Sequence, residues 1–338
     1  MSSSNGRVAD LAQFRSVFLI KPSSLGDIVH TLPSAHFIKR AYPHLELRWM
    51  CNPEWMPLLE GNPDLTEVVP FPRGEFKGLA AVPRLYQWAR ALNAAPRTMP
   101  EITLDFQGLM RSALTSLARG TDPVIGMSDA REGAHLLYRR VVPVDKQDHA
   151  VDRYLTLVRA LGIETAPADV EFPLPEGERP DAEHIPSDFI LLHPYSRGAG
   201  KSLSAEVLQT LCDCFAPHPV VIAGRCGEPF QISGGHVTSL VNRTTLPGLV
   251  WLIRQSRACI SVDSGPMHIA SALQPRTLGI HTWSNPRRVG PYSSAAYVWK
   301  AGRIAHRHAF SDEEVRSKQM MDASAARRAA DFVLQTWC

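Results

Sequence analysis

Along this 338-residue chain, apolar runs of four to six residues alternate with longer stretches of helical period. That alternation predicts a mostly parallel α/β architecture, with short buried strands separated by helices. In the first half, strands are expected at Val17–Ile20, Leu45–Met50, Glu67–Val69, Ile102–Asp105 and Val124–Ile125. Helices are expected at Leu32–Ala41, Val82–Leu92, Met110–Arg119 and His149–Leu161. Pro33 suits the first turn of its helix, where a missing N–H costs nothing. Between Phe172 and Asp188 the text turns to prolines, glutamates and a glycine, which reads as an interdomain linker. The second half restarts with strands at Phe189–His193, Val220–Ala223, Ala258–Val262 and Thr277–His281. Helices at Ala205–Cys214, Leu246–Gln255 and Met267–Leu273 accompany them, and a last helix over Asp322–Trp337 closes the chain. The expected organisation is a domain over 14–172, a linker over 173–187 and a second domain over 188–338.

Two stretches far apart answer each other. Lys21-Pro22-Ser23-Ser24-Leu25-Gly26-Asp27 and Ser261-Val262-Asp263-Ser264-Gly265-Pro266-Met267-His268 each follow a short apolar run and lead into a helical pattern. Strand, small-residue turn and helix start, with an acid at the junction, is a suitable place for phosphates and other anions, because helix N-termini carry free N–H groups. Asp27 at such an edge can take a proton from an acceptor hydroxyl, or simply cap its helix. Ser264 and Gly265 can offer N–H groups to a diphosphate, with His268 one turn further on. Asp263 would repel phosphates, so its expected task is to orient N–H groups or a sugar hydroxyl.

Other candidates are weaker. Gly200-Lys201-Ser202 ends like a phosphate-binding P-loop, but the full pattern needs a glycine where Tyr195 stands. Lys201 and Arg197 can still neutralise phosphate from a Gly-rich loop. Glu228, after a strand and a Gly-containing turn, suits ribose hydroxyls or plain solvent. Arg73 and Lys77 lie in a Pro/Gly-flanked loop opposed by the single acid Glu75, and can either grip an anionic acceptor or form a solvated basic face.

Composition narrows the class. A net charge of +3, from 36 basic and 33 acidic residues, lacks the whole-protein basic field of a general nucleic-acid binder. The six cysteines form no CxxC pair and have no zinc-type spacing to histidine, so they are expected as thiols in a reducing compartment. Met1 to Gln13 is polar, without the apolar core of a signal peptide, and no run of about 18 apolar residues occurs, so a cytoplasmic protein is expected. There is no Asp-x-Asp pair for a metal-bound diphosphate, no HExxH, and no GxGxxG after the first strand.

Taken in order, these motifs resemble glycosyltransferase family 9, in its lipopolysaccharide heptosyltransferase I branch. The resemblance rests on Lys21 to Asp27 followed by His30-Thr31-Leu32-Pro33, then Asp105 to Ser112, Ala130-Arg131-Glu132, His149 to Arg153, and Ser261 to His268 with Pro275. It implies a GT-B fold: two Rossmann-like domains facing a central cleft, the first for acceptor and the second for a nucleotide sugar. It also implies an inverting, metal-independent transfer with no cofactor, from ADP-heptose or a related donor to a lipid-linked Kdo sugar at the inner face of the inner membrane. Asp27 would be the base and Lys201 would steady the departing diphosphate. Ser196, Arg197, Glu228, Asp263, Ser264, Gly265 and His268 would line the donor site. Gly26, Arg73, Lys77, Arg111 and Arg131 are expected on the acceptor side. The chain departs from the family where Leu203-Ser204 follows the lysine and in the loop Thr282 to Tyr292. A relative with another donor or acceptor, a P-loop-like NTPase and a non-catalytic nucleotide-binding module are the competing readings.

Overall fold

The computed structural model describes residues 7–76, 78–92 and 100–338, with only the backbone of Leu79. The chain divides into two compact units, one ending at Leu174 and the other beginning at Pro175.

The first unit is a six-stranded, wholly parallel sheet. Its strands are β1 (Ser16–Ile20), β2 (Glu46–Cys51), β3 (Glu67–Pro70), β4 (Glu101–Asp105), β5 (Val124–Met127) and β6 (Arg140–Val142), in the order β3-β2-β1-β4-β5-β6. Val17, Phe18, Leu19 and Ile20 are all fully buried, as a central parallel strand covered on both faces requires. Helices α1 (Leu25–Ala41), α2 (Val82–Ala91), α3 (Met110–Arg119) and α4 (Ala150–Ala160) make the connections. This strand order is that of the doubly wound nucleotide folds, and the chain reverses direction across the sheet between β1 and β4.

The second unit repeats the plan. Strands β7 (Ile190–His193), β8 (Val220–Ile222), β9 (Val237–Ser239), β10 (Ala258–Val262), β11 (Thr277–Ile280), β12 (Tyr297–Lys300) and β13 (Arg303–Ala305) are ordered β13-β12-β11-β10-β7-β8-β9. Only β13 runs antiparallel, against β12. The unit's helices are α5 (Ala205–Phe215), α6 (Leu246–Gln255), α7 (Gly265–Leu273), α8 (Pro286–Val289), α9 (Asp312–Arg316) and α10 (Ala323–Trp337). Its main core joins Ile190, Leu208, Ile260 and Leu278 to Ala326 and Val333, so α10 belongs to the core of this unit.

The first helix differs from the expectation. It starts at Leu25, not Leu32, so Pro33 lies inside it and removes one interior i→i−4 bond. The cause is a capping box: the Ser24 side chain meets the N3 backbone while the Asp27 side chain meets the Ser24 backbone, which starts the helix a full two turns earlier. The alternation of apolar runs does not predict strands β6, β9, β12 and β13. β6 and β9 are three-residue edge strands without a fully apolar run, and β12 and β13 form a terminal ribbon on the other edge. No helix among the described residues is long and apolar enough to cross a membrane.

Candidate functional site

In a parallel sheet every strand delivers its following loop to the same edge. In the first unit that edge receives Gly26 and Asp27 after β1, Arg73 after β3, Arg111 after β4 and Arg131 after β5. β1 and β4 flank the reversal of strand order, the usual crevice for ligands in open α/β sheets. Lys77 lies outside the described residues.

Asp27 is half-buried as the third residue of α1. Its Oδ2 accepts from the Ser24 N–H at 3.0 Å and from the Ser24 hydroxyl at 2.8 Å. Its Oδ1 accepts from the Tyr154 hydroxyl at 3.2 Å. Burial by itself would raise the Asp27 carboxyl, but the Lys21 ammonium and the Ser24 and Tyr154 donors outweigh it and hold the group below its ordinary value. Asp27 is therefore ionised at neutral pH. Lys21 is buried, with its Nζ donating to the Phe106 carbonyl and the Tyr154 hydroxyl, each at 2.8 Å. Burial lowers the Lys21 ammonium, opposed by Asp27 and Asp105.

The loop after β4 is organised by Asp105, which is fully buried. One carboxylate oxygen accepts from the Gln107 and Gly108 N–H groups, and the other from Ser112 at 2.6 Å and Tyr138 at 2.8 Å. Burial raises this carboxyl against all four bonds. Gly108 has φ +65°, and a Cβ there would stand 3.2 Å from Ala130 Cα, so glycine is required where the β4 and β5 loops meet. The Gly108 carbonyl accepts from the Arg131 N–H at 2.8 Å, which ties the exposed Arg131 to the loop leading to the half-buried Arg111. Arg73 is exposed in a single 3-10 turn over Arg73–Glu75.

In the second unit, β7 and β10 flank the equivalent reversal. Ser196 follows β7 and Asp263 follows β10, and the Ser196 hydroxyl donates to the Asp263 carbonyl at 3.5 Å. The Lys201 Nζ lies 2.5 Å from Asp263 Oδ2 and 4.7 Å from the centre of the Trp283 ring. Burial would raise the Asp263 carboxyl, but His281, Lys201 and Ser284 bring it down to about 2. His281 is fully buried; burial pushes its imidazole down to about 4, against the attraction of Asp263 and with the help of His268, Lys300 and Lys201. At neutral pH, His281 is therefore uncharged; Lys201 is the cation paired with Asp263, and Lys300, lowered by burial to about 8, is a second one that acts on it.

Ser264 is the N-cap of α7, but its hydroxyl turns back to the Val262 carbonyl at 3.1 Å and does not cap the helix. Pro266 has no N–H and the Met267 N–H donates to the Ser264 carbonyl at 3.1 Å, so the first-turn donor that Ser264 leaves without a side-chain cap is the Gly265 N–H. His268 is buried one turn into α7. The loop bearing Lys201 is held from β11: Thr282 donates to the Gly200 carbonyl at 2.8 Å and Trp283 Nε1 to that of Ala199 at 3.3 Å. Arg197 is exposed in the same loop. Glu228 is exposed beyond β8, in a segment tied down by Asn242, whose side chain bonds the Cys226 backbone at 3.0 and 2.9 Å. Gly224, with φ +146°, begins this segment; a Cβ there would come within 2.9 Å of Tyr195. Tyr195 itself is buried, so the P-loop position that lacks glycine carries a core side chain. Lys201 precedes α5 by four residues and does not sit in its first turn, unlike a P-loop lysine.

The tertiary structure adds Lys21, Tyr154, Asp105, His281 and Trp283 to these groups. Lys21 and Asp105 open motifs already singled out, and Tyr154 follows Arg153 directly. His281 ends the expected strand Thr277–His281, and Trp283 lies in the loop Thr282 to Tyr292 where the chain departs from the family, but neither carries a signal of its own for this site.

Residues 97–319 match the family model for glycosyltransferase family 9 (heptosyltransferase). The chain is 28% identical over 289 residues to lipopolysaccharide heptosyltransferase 1 of Pseudomonas aeruginosa, covering 82% of this chain and 81% of that protein. Its fold is similar to that of the Escherichia coli heptosyltransferase WaaC with ADP, at TM-score 0.72 and 20% identity, over 94% of this chain and 99% of that one. The E. coli ADP-heptose LPS heptosyltransferase II is similar at TM-score 0.72 and 20% identity, over 95% and 99%. With two doubly wound parallel sheets and a family match over more than half its length, the chain has the GT-B fold and belongs to glycosyltransferase family 9, as a glycosyltransferase enzyme.

Proposed function

We propose that this enzyme is an inverting, metal-independent heptosyltransferase that moves heptose from ADP-heptose to a Kdo-type sugar of the lipopolysaccharide inner core. The observation that carries the reading is the Asp27 carboxylate, ionised and placed at the reversal point of the acceptor-side sheet. The family match and the similarity to lipopolysaccharide heptosyltransferase 1 support the substrate class. The absence of an Asp-x-Asp motif from the sequence supports metal independence.

In this mechanism the acceptor hydroxyl attacks the anomeric carbon from the face opposite the diphosphate. A new C–O bond forms, the bond to the diphosphate oxygen breaks with its electron pair, and the hydroxyl proton passes to Asp27. Negative charge grows on the departing ADP. Lys201 and the N–H groups at Ser264 and Gly265 meet it, and fixed donors of this kind each contribute about 3 kcal/mol to lowering a barrier. The pairing of Lys201 with Asp263 positions the ammonium beside α7. Ser196, Arg197 and His268 complete the donor side, and Glu228 meets the ribose. Arg73, Lys77, Arg111 and Arg131 hold the acceptor's anionic groups. The first unit is the acceptor domain and the second the donor domain, joined by the segment 173–187. Because the acceptor is a lipid, the enzyme works from the cytoplasm at the inner face of the inner membrane.

ADP release from a panel of nucleotide sugars, with a Kdo-bearing lipid acceptor and with or without EDTA, tests this directly. Acceptor-dependent release from ADP-heptose that survives EDTA and disappears in Asp27→Asn is the expected result. Release from another donor alone would move the function elsewhere in the family, and an axial–equatorial assignment of the product by NMR would expose retention.

A further inference from the structure

The three donors around Asp27 are unevenly shared. Oδ2 receives both the Ser24 N–H and the Ser24 hydroxyl, which occupies its two lone-pair directions. Among the described residues, Tyr154 is the one donor recorded on Oδ1. Oδ1 is thus the oxygen with a position left for an incoming proton. Tyr154 in turn has a fixed polarity. Lys21 is a pure donor, and its Nζ is 2.8 Å from the Tyr154 hydroxyl, so the phenol oxygen accepts there and its one proton points to Asp27. The other partner of Lys21 is a backbone carbonyl, that of Phe106 in the β4 loop. The side chain therefore bridges the β4 loop and α4 beneath the carboxylate, rather than reaching outward to a ligand.

We infer that Tyr154 and Lys21 are positioning residues for the proton-accepting oxygen of Asp27, acting as an ordered chain from the Lys21 ammonium through the Tyr154 hydroxyl to Oδ1. The inference rests on Asp27 being the base. Among the described residues, Asp27, Asp105, Asp129 and Arg153 act on this chain, with Arg153 and Asp129 paired at 2.9 Å, and the buried imidazoles of His30 on α1 and His149 at the start of α4 lie edge to face at 5.2 Å. Among the described residues, Asp27 is the carboxylate that acts most strongly on Lys21, ahead of Asp105. Burial and the neighbouring Asp27 push the Tyr154 phenol well above its ordinary value, so it keeps its proton through the working pH range and remains a donor.

The test uses the full chain labelled with carboxyl-¹³C aspartate, assigning Asp27 by its loss in Asp27→Asn. Its titration midpoint is measured in wild type, Tyr154→Phe, Lys21→Met and Lys21→Arg, beside kcat and KM for ADP release across pH. Removing the Tyr154 hydroxyl takes a donor from the charged form, so the midpoint and the acid limb of kcat should both rise by about one pH unit. Turnover on the plateau should fall about tenfold, with the donor KM within about twofold. Lys21→Met should move the midpoint further, and Lys21→Arg should restore part of it. An unmoved midpoint and acid limb in a Tyr154→Phe protein of unchanged melting temperature would overturn the inference. A midpoint that moves while Asp27→Asn still turns over would support the positioning chain and overturn the base assignment instead. Tyr154→Phe only deletes an oxygen, so the test stands even if Lys21→Met does not fold.

Discussion

Lys201 lies 2.5 Å from Asp263 across the reversal point of the second sheet, with the lysine side chain 19% exposed and the aspartate 6%. Removing one member of such a pair leaves the other charge uncompensated, so Lys201→Met should destabilise the fold by about 3 kcal/mol at neutral pH. The pH window follows from Asp263, which His281 first and then Lys201 and Ser284 hold at about 2, below the ordinary 3.8. The pair's contribution is fully present above about pH 4 and is lost as pH falls towards 2. Calorimetry should therefore find the gap between wild type and variant at its widest near pH 7 and closing below pH 4. In turnover, the same variant should lose about 10²- to 10³-fold in kcat, more than it raises the donor KM. A rise in KM alone would remove Lys201 from the transition state.

Asp27→Asn keeps the shape of the side chain and removes its basicity. Turnover should drop by about 10²- to 10⁴-fold. The amide oxygen can retain the Ser24 bonds, but the amide NH2 then faces the Tyr154 hydroxyl and Lys21 loses the charge of its neighbouring carboxylate, so the melting temperature should fall as well. Activity within a few fold of wild type would leave Asp27 as a helix cap alone.

Arg73, Arg111 and Arg131 follow three different strands yet reach one sheet edge. Neutralising each in turn should raise the KM for the lipid acceptor several-fold, by about 1 kcal/mol or more per lost charge-assisted contact. ADP affinity, read by calorimetric titration, should be unchanged. Equal loss of both would refute an acceptor role.

Gly126 in β5 is a packing constraint rather than a turn. A Cβ at this position would come 2.2 Å from Tyr138, whose hydroxyl bonds Asp105 at 2.8 Å. Gly126→Ala should displace that ring, cost roughly 1–3 kcal/mol, and loosen the loop that carries Gly108 and Arg111. Denaturant titration should show the loss, and acceptor KM should rise with it.

Much of this molecule is legible in one dimension. A buried parallel strand is mostly apolar, so β1, β7, β10 and the apolar residues of β4 announce themselves even though β4 also buries Glu101, Thr103 and Asp105, and the two acid-bearing junctions at Asp27 and Asp263 stand next to β1 and β10. The start of α1 was not legible from periodicity, because a capping box decides it through two side-chain bonds rather than through an apolar stripe. The edge strands β6 and β9 escaped for a related reason: three residues at the margin of a sheet have no buried run to display. The sequence by itself determined the mostly parallel α/β class, and its motifs, taken in order, carried the resemblance to the family and with it the expectation of two Rossmann-like domains. Only the tertiary structure decided that Lys201 is paired with Asp263, that His281 is buried beside them, and that Lys21 and Tyr154 stand behind Asp27. Those contacts join residues 62, 18 and 127 positions apart. Strand order brings them together, and no local periodicity encodes strand order.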